Sequence, residues 1–116
     1  MTEIIWSSKA DEILRVGKKL DSIGVRNWAL TKLQALQVLG ELGKNKIPIL
    51  GGDVYVEDTD GVIKLSYSNW YCDRLPGETL DHYLARSIAK AEEYITNFKV
   101  VNSAKVFFAI VPGVGV

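Results

Sequence analysis

Apolar residues recur at three- and four-residue intervals in three segments of the chain, which is the period of one helix face. The first segment predicts a helix that is capped by Ser8 and runs to about Ser22. The second predicts a helix over about 32–42, which Thr31 and Gln34 open as a T-x-x-Q capping box. The chain therefore begins with two helices in succession.

A hairpin and a third helix follow. Residues 49–57 and 62–72 have the composition of two strands, and the DTDG sequence at 58–61 is typical of the turn between them. A long helical period then predicts a helix over about 80–98, capped by Thr79.

The last regular segment, residues 104–111, is almost entirely apolar and predicts a well-covered strand. The elements then follow the order α-α-β-β-α-β. This order, in a chain of 116 residues, predicts a single α+β domain over residues 1–116, with three helices packed on a small, mainly antiparallel sheet.

The hairpin contains two glycines and an unusual number of aromatic residues. Gly51 and Gly52 indicate a bulge or a close backbone approach, so we expect them to be structural. Alternation along 63–73 puts the odd-numbered positions on the more apolar face, which we expect to face the core. Either Trp70 lies at the edge of the core with Tyr71 inside, or one of these rings is an exposed anchor for a partner.

Formal charges cancel over the whole chain, but they are unevenly distributed. Between residues 53 and 81 there are seven acidic residues and only two basic ones, whereas the flanking segments are basic. One interpretation is a solvated hairpin. The other is an acidic face that attracts a basic partner.

The residue types that support catalysis or metal binding are scarce. One cysteine and one histidine exclude an intrachain disulfide and a set of zinc ligands, and the DTD sequence lacks the rest of a calcium loop. A Cys72–His82 dyad has no supporting motif. No glycine-rich phosphate loop opens a helix, and aromatics in an acidic segment disfavour nucleic acid. We expect no cofactor, no metal and no catalytic residue.

The chain also lacks the marks of membrane insertion and export. No apolar run approaches the roughly 18–20 residues that a spanning helix needs. The N-terminal sequence MTEIIWSSKADE has no basic stretch followed by an apolar one. We expect a soluble, cytoplasmic protein that does not contact a membrane.

Three blocks, NWALTKLQALQVL, IPILGGDVY and YSNWYCDRLPGETLDHYLARSIAKAEEYI, resemble in order the immunity protein 40 family of bacterial polymorphic toxin systems. The resemblance covers about residues 24–97. It implies a small cytoplasmic protein without enzymatic activity that binds and neutralises a cognate toxin domain, delivered for example by contact-dependent growth inhibition. The family's positions here are Gly51, Gly52, Asp53, Tyr55, Trp70, Tyr71, Asp73 and Arg74.

The acidic segment and this resemblance together suggest a toxin with a basic active site, such as a nuclease. We also expect a local ion pair between Asp73 and Arg74. The toxin-binding candidates are the acidic and aromatic residues of the hairpin and the residues just after it: Asp53, Glu57, Asp58, Asp60, Trp70, Tyr71, Asp73 and Arg74.

Two alternatives remain open. One is a small cytosolic enzyme that uses Cys72 or clustered carboxylates on a small molecule. The other is a homodimeric structural subunit that pairs through the apolar strand at 104–111.

Overall fold

The computed structural model describes residues 3–99 and 105–114, and its regular elements lie within these ranges. Three helices, five strands and a short 3-10 helix follow one another in the order α1 Ser8–Leu14, β1 Lys18–Lys19, the 3-10 helix Asp21–Ile23, β2 Trp28–Ala29, α2 Lys32–Lys44, β3 Ile49–Glu57, β4 Ile63–Tyr71, α3 Leu80–Asn97 and β5 Lys105–Pro112.

The strands form two antiparallel sheets. One has three strands in the order β4-β3-β5, and the other is the two-residue ribbon β1-β2. The predicted α+β class is therefore confirmed. The hairpin, α2 and α3 lie close to their predicted bounds, and the predicted strand at 104–111 is β5, although residue 104 itself lies outside the described residues.

Local capping explains where two of the helices begin. Thr31 Oγ1 accepts from Gln34 N at 3.2 Å, and Gln34 Oε1 accepts from Thr31 N at 3.0 Å, which is the predicted capping box. Thr79 Oγ1 accepts from His82 N at 3.1 Å and caps α3 as predicted.

The predicted extent of the first helix is wrong. The N-cap is Ser7, and α1 ends at Leu14 rather than near Ser22. A Cβ at Gly17 would lie 2.6 Å from Ala29 O, so the glycine lets the chain turn closely against β2. Leu20, which lies within the predicted helix, is instead buried with Ala29 on the opposite side of the three-stranded sheet.

Each face of the three-stranded sheet has its own hydrophobic cluster. The larger cluster fills the space between the helices and one face; its buried residues include Leu14, Leu39, Val54, Trp70, Ile95, Phe108 and Ile110. The smaller cluster lies on the other face, where Leu20 and Ala29 cover Tyr55 and Ala109. This second layer is small and covers only the start of β4, where Ile63 packs against it. Leu65, Asn69 and Tyr71, which lie on the same face, are all exposed.

The outer edge of β5 is occupied by the chain itself. Leu30 and Phe108 exchange two backbone hydrogen bonds of 2.9 and 2.7 Å, and Asn27 Nδ2 donates to Ile110 O at 3.0 Å. The dimer alternative placed a second copy at this edge, and these internal bonds give it no support.

The predicted assignment of the two faces of β4 is wrong. Trp70, at an even-numbered position, is only 6% exposed and packs in the larger cluster, whereas Tyr71 is 68% exposed. Trp70 is paired with Gly52, and its ring occupies the space where a Cβ of Gly52 would lie. This fit turns the even-numbered side chains toward the helices and the odd-numbered ones away from them.

Gly52→Ala should therefore destabilise the protein by about 1–3 kcal/mol, because the new methyl group would overlap the Trp70 ring and lie 2.7 Å from Ala109 O. Gly40→Ala is the matched control, since no atom lies within 4 Å of a Cβ at this helical site. The Gly40→Ala variant should have a free energy of unfolding about 0.5–1 kcal/mol higher than wild type. Urea denaturation measures both, and equal effects of the two variants would contradict the packing role of Gly52.

Candidate functional site

The exposed residues of β4 form a surface that the rest of the fold leaves uncovered. Tyr67 is 83% exposed and Tyr71 is 68% exposed, and Leu65 and Asn69 are also exposed. Asp53 of β3 pairs with Asn69, so the two side chains share a face. We call these five residues the open face.

A bulge at the centre of β4 contains the highly exposed Tyr67. The strand register shifts between the Asp53–Asn69 and Tyr55–Leu65 pairs, so three residues of β4 oppose Val54 alone. Val54 has no backbone partner on β4 at this register shift. Ser66 Oγ donates to Val54 O at 2.8 Å and so supplies a hydrogen bond to this carbonyl. Tyr67 has a φ of 67°, an uncommon and strained conformation for a bulky residue.

Trp70 lies beneath the open face and supports it. Its ring stacks on Tyr94 of α3 with a centroid separation of 4.8 Å. Tyr71 differs from Trp70, because its exposed ring has only Lys90 Nζ above it, at 5.3 Å from the centroid. Of the two rings considered as anchors, Tyr71 alone is accessible to a partner.

The three acidic residues at the hairpin tip have different roles. The Asp58 carboxylate accepts from Asp60 N at 2.9 Å and from Val62 N at 3.1 Å, so it holds the turn. The bond from Val62 is the main reason that the pKa of Asp58 lies below its usual value. Glu57 is partly buried, whereas Asp60 is exposed. Only Asp60 is fully available at the tip.

The acidic residue Glu78 is a structural residue. Its side chain is 3% exposed, and its carboxylate accepts from Arg86 Nε at 2.7 Å and Nη2 at 2.8 Å and from Leu75 N at 2.9 Å. His82 Nδ1 lies 2.6 Å from Glu78 Oε2, the oxygen that also accepts from Arg86 Nε. The hydrogen bonds from Arg86 are the main reason that the pKa of Glu78 lies far below its usual value of 4.5.

Arg86 extends this contact to the end of β4. Its Nη2 donates to Asp73 O at 2.6 Å, and its Nη1 lies 3.1 Å from Cys72 Sγ. We call the Glu78–Arg86 pair, with its bonds to residues 72–75, the clasp. Arg86 was not among the residues predicted from the sequence, although Glu78, His82 and Arg86 recur at four-residue intervals, a spacing that can indicate such contacts.

The expected Asp73–Arg74 ion pair is wrong. Arg74 Nε donates to Glu78 O at 3.0 Å, and the guanidinium that reaches Asp73 belongs to Arg86. The side chains of Asp73 and Arg74 are both exposed at the end of β4, close to Tyr71.

The two residues considered as a catalytic dyad, Cys72 and His82, share no hydrogen bond. Cys72 is 1% exposed, and its sulfur faces Arg86, whereas His82 contacts Glu78. Across residues 3–99 and 105–114, no group of three metal-ligating side chains comes together. No helix in the same ranges is long and apolar enough to cross a membrane.

The predicted toxin-binding residues thus fall into three groups. Asp53 and Tyr71 lie on the open face, Asp73 and Arg74 follow at one end of β4, and Glu57, Asp58 and Asp60 lie at the hairpin tip at the other end. Trp70 is buried beneath them. The sequence analysis did not propose Leu65, Tyr67 or Asn69, because their exposure depends on the bulge and on the buried side of Trp70.

The comparison with protein families identifies this chain. The family model described as immunity protein 40 matches residues 19–112, which is most of the chain. The protein belongs to the immunity protein 40 family. Searches of curated proteins and of solved structures gave no significant match.

Glu78→Gln should remove a stabilisation that depends on pH. Because the pKa of Glu78 is lowered by folding, its ionised form stabilises the fold fully above its ordinary value of 4.5 and progressively less as the pH falls below it. The melting temperature of wild type should therefore exceed that of the variant at pH 7, and the gap should shrink between about pH 5 and pH 2.5.

Glu92→Gln, at an exposed position of α3, is the control. Its melting temperature should equal that of wild type at every pH. A gap between wild type and Glu78→Gln that stayed constant down to pH 2.5 would contradict this role of the clasp.

Proposed function

We propose that this protein neutralises a cognate bacterial toxin domain by binding it directly through the open face and the acidic residues at its two ends. The observation that carries this proposal is the exposure of Tyr67 and Tyr71 on the part of β4 that the smaller cluster leaves uncovered. Tyrosine is enriched at the centres of protein interfaces, where its ring contributes contact area at low entropic cost. Membership of an immunity protein family supports a protein partner.

Charge supports a basic toxin. Asp53, Asp60 and Asp73 lie on or beside the open face, whereas Glu78 is neutralised within the fold by Arg86. The acidic surface is therefore smaller than the sequence alone implied: its carboxylates lie at Asp53 on β3, at Asp60 in the hairpin turn and at Asp73 just after β4. Such a surface accelerates association with a positively charged active site, and a nuclease is the toxin class that we propose.

The cellular setting is part of the same proposal. We place the protein in the cytoplasm of the toxin-producing bacterium, as one partner of a polymorphic toxin system of the contact-dependent type. It acts by binding and without catalysis of its own. The burial of Cys72, whose sulfur contacts Arg86 and shares no hydrogen bond with His82, favours this over the enzyme alternative.

Isothermal titration calorimetry against the toxin domain encoded beside this chain, inactivated by mutation, tests the proposal at two salt concentrations. We expect nanomolar or tighter binding that weakens as salt rises. Tight binding that does not change with salt would contradict the proposal that an acidic surface attracts a basic toxin, but not the proposal of toxin binding itself. Absence of binding would overturn the proposed function.

The doubly charge-reversed variant Asp60→Lys, Asp73→Lys should slow toxin association by about tenfold at low salt. The two lysines that replace the exposed carboxylates would repel a basic partner. We leave Asp58 unchanged because it holds the turn. Glu92→Lys with Glu93→Lys changes the net charge equally on the exposed surface of α3. Stopped-flow kinetics should show little effect of this control, and equal slowing by both pairs would contradict a localised acidic surface.

Tyr67→Gly should weaken toxin binding by about thirtyfold or more without destabilising the protein. The ring is a candidate anchor, and glycine adopts the positive φ of this position without strain. Leu33→Ala, which truncates another exposed apolar side chain on α2, should leave affinity unchanged. Calorimetry and thermal melting measure the two properties separately, and unaltered affinity of Tyr67→Gly would remove Tyr67 from the interface.

A further inference from the structure

The two outer edges of the three-stranded sheet differ. The edge of β5 is occupied by Leu30 and Asn27, whereas within the described chain no strand pairs with the outer side of β4. An unpaired edge presents backbone donors and acceptors that a partner strand can use.

The hydrogen bonding of the hairpin shows which groups point outward. Cys72 N donates to Leu50 O at 2.7 Å, so the backbone of Cys72 faces β3. Because antiparallel strands alternate between inward and outward backbone groups, the N–H and C=O of Asn69 and Tyr71 point away from the sheet. Asp58 N donates to Val62 O at 3.1 Å, and the same alternation turns the backbone of Ile63 and Leu65 outward.

The bulge divides this edge into two short pieces. Ser66, Tyr67 and Ser68 oppose Val54 alone, and the positive φ of Tyr67 interrupts the regular spacing of outward groups. Bulges of this kind protect an edge against indiscriminate pairing. A partner can therefore pair with only a few residues at a time, and it must fit around Tyr67.

We propose that an extended, basic segment of the toxin pairs with the edge of β4 at Asn69 and Tyr71, adding a short strand to the sheet. This inference rests on the proposed function and specifies how the toxin is held. The piece of edge after the bulge is favoured because it lies between the two exposed tyrosines, with Asp53 beside it and Asp73 at its end. Backbone pairing supplies affinity, and the tyrosines and carboxylates supply specificity.

Charge argues against a second copy of this chain as the occupant. Two copies joined through the same edge would bring identical acidic residues and two Tyr67 bulges toward each other. Like charges oppose such pairing, whereas a basic segment is attracted. The isolated protein should therefore be monomeric in light scattering, and a dimer formed through this edge would overturn the proposal.

Amide hydrogen exchange, measured by NMR on the wild-type protein free and bound to the inactivated neighbouring toxin domain, tests the pairing directly. The amides of Asn69 and Tyr71 should exchange at least about tenfold more slowly in the complex. The outward amides of Ile63 and Leu65, on the other side of the bulge, should change less. Binding with no slowing at Asn69 and Tyr71 would overturn this inference and leave the proposed function intact; no binding would overturn both.

Substitution at Asn69 separates backbone from side-chain contacts. Asn69→Pro removes an outward donor and no bond to β3, as prolines in edge strands do, and should weaken toxin binding at least about tenfold. Asn69→Ala removes the side chain and keeps the N–H, so affinity should change by less than about threefold. Equal affinities of the two variants would contradict backbone pairing. If thermal melting shows that Asn69→Pro is unfolded, hydrogen exchange in wild type decides the question.

Discussion

The packing of Trp70 over Gly52 is the contact on which the arrangement of the hairpin depends. An indole ring fits against β3 only where the opposing residue has no side chain, and Gly52 provides that space. Once Trp70 faces the helices and stacks on Tyr94, alternation turns Asn69 and Tyr71 to the other side. The exposed aromatic surface of β4 is thus a consequence of a buried contact.

The clasp fixes the chain immediately after Trp70, at the same end of β4. Arg86 is held by the Glu78 carboxylate and bonds to Asp73 O, so hydrogen bonds connect the end of β4 to the first turns of α3. The acidic residues of the middle segment consequently have two separate functions. Glu78 and Asp58 hold loops together through their hydrogen bonds, whereas Asp60 and Asp73 remain free to attract a partner.

Local signals in the sequence predicted most of the fold. The capping box at Thr31, the DTDG turn and the long period of α3 depend on neighbouring residues, and each is present in the structure. The end of α1 and the buried side of β4 depend on distant contacts, of Gly17 with Ala29 and of Gly52 with Trp70. The pattern of apolar and polar residues along the chain does not indicate contacts between residues that are far apart in sequence. The candidate site predicted from the sequence therefore lies on the hairpin that carries the open face. Trp70, proposed there as an anchor, is buried, and the exposed Tyr67 was not among the predicted residues.

A crystal structure of this protein with its neighbouring toxin domain is the most direct test of the central claim, that a partner binds the exposed side of β4 while Trp70 stays buried. The account predicts toxin atoms in contact with Tyr67, Asn69 and Tyr71, with the Trp70 ring still stacked on Tyr94. A complex in which the toxin instead covers the groove between α1 and α2, lined by Ile13, Val16 and Val38, and leaves β4 in solvent would contradict it.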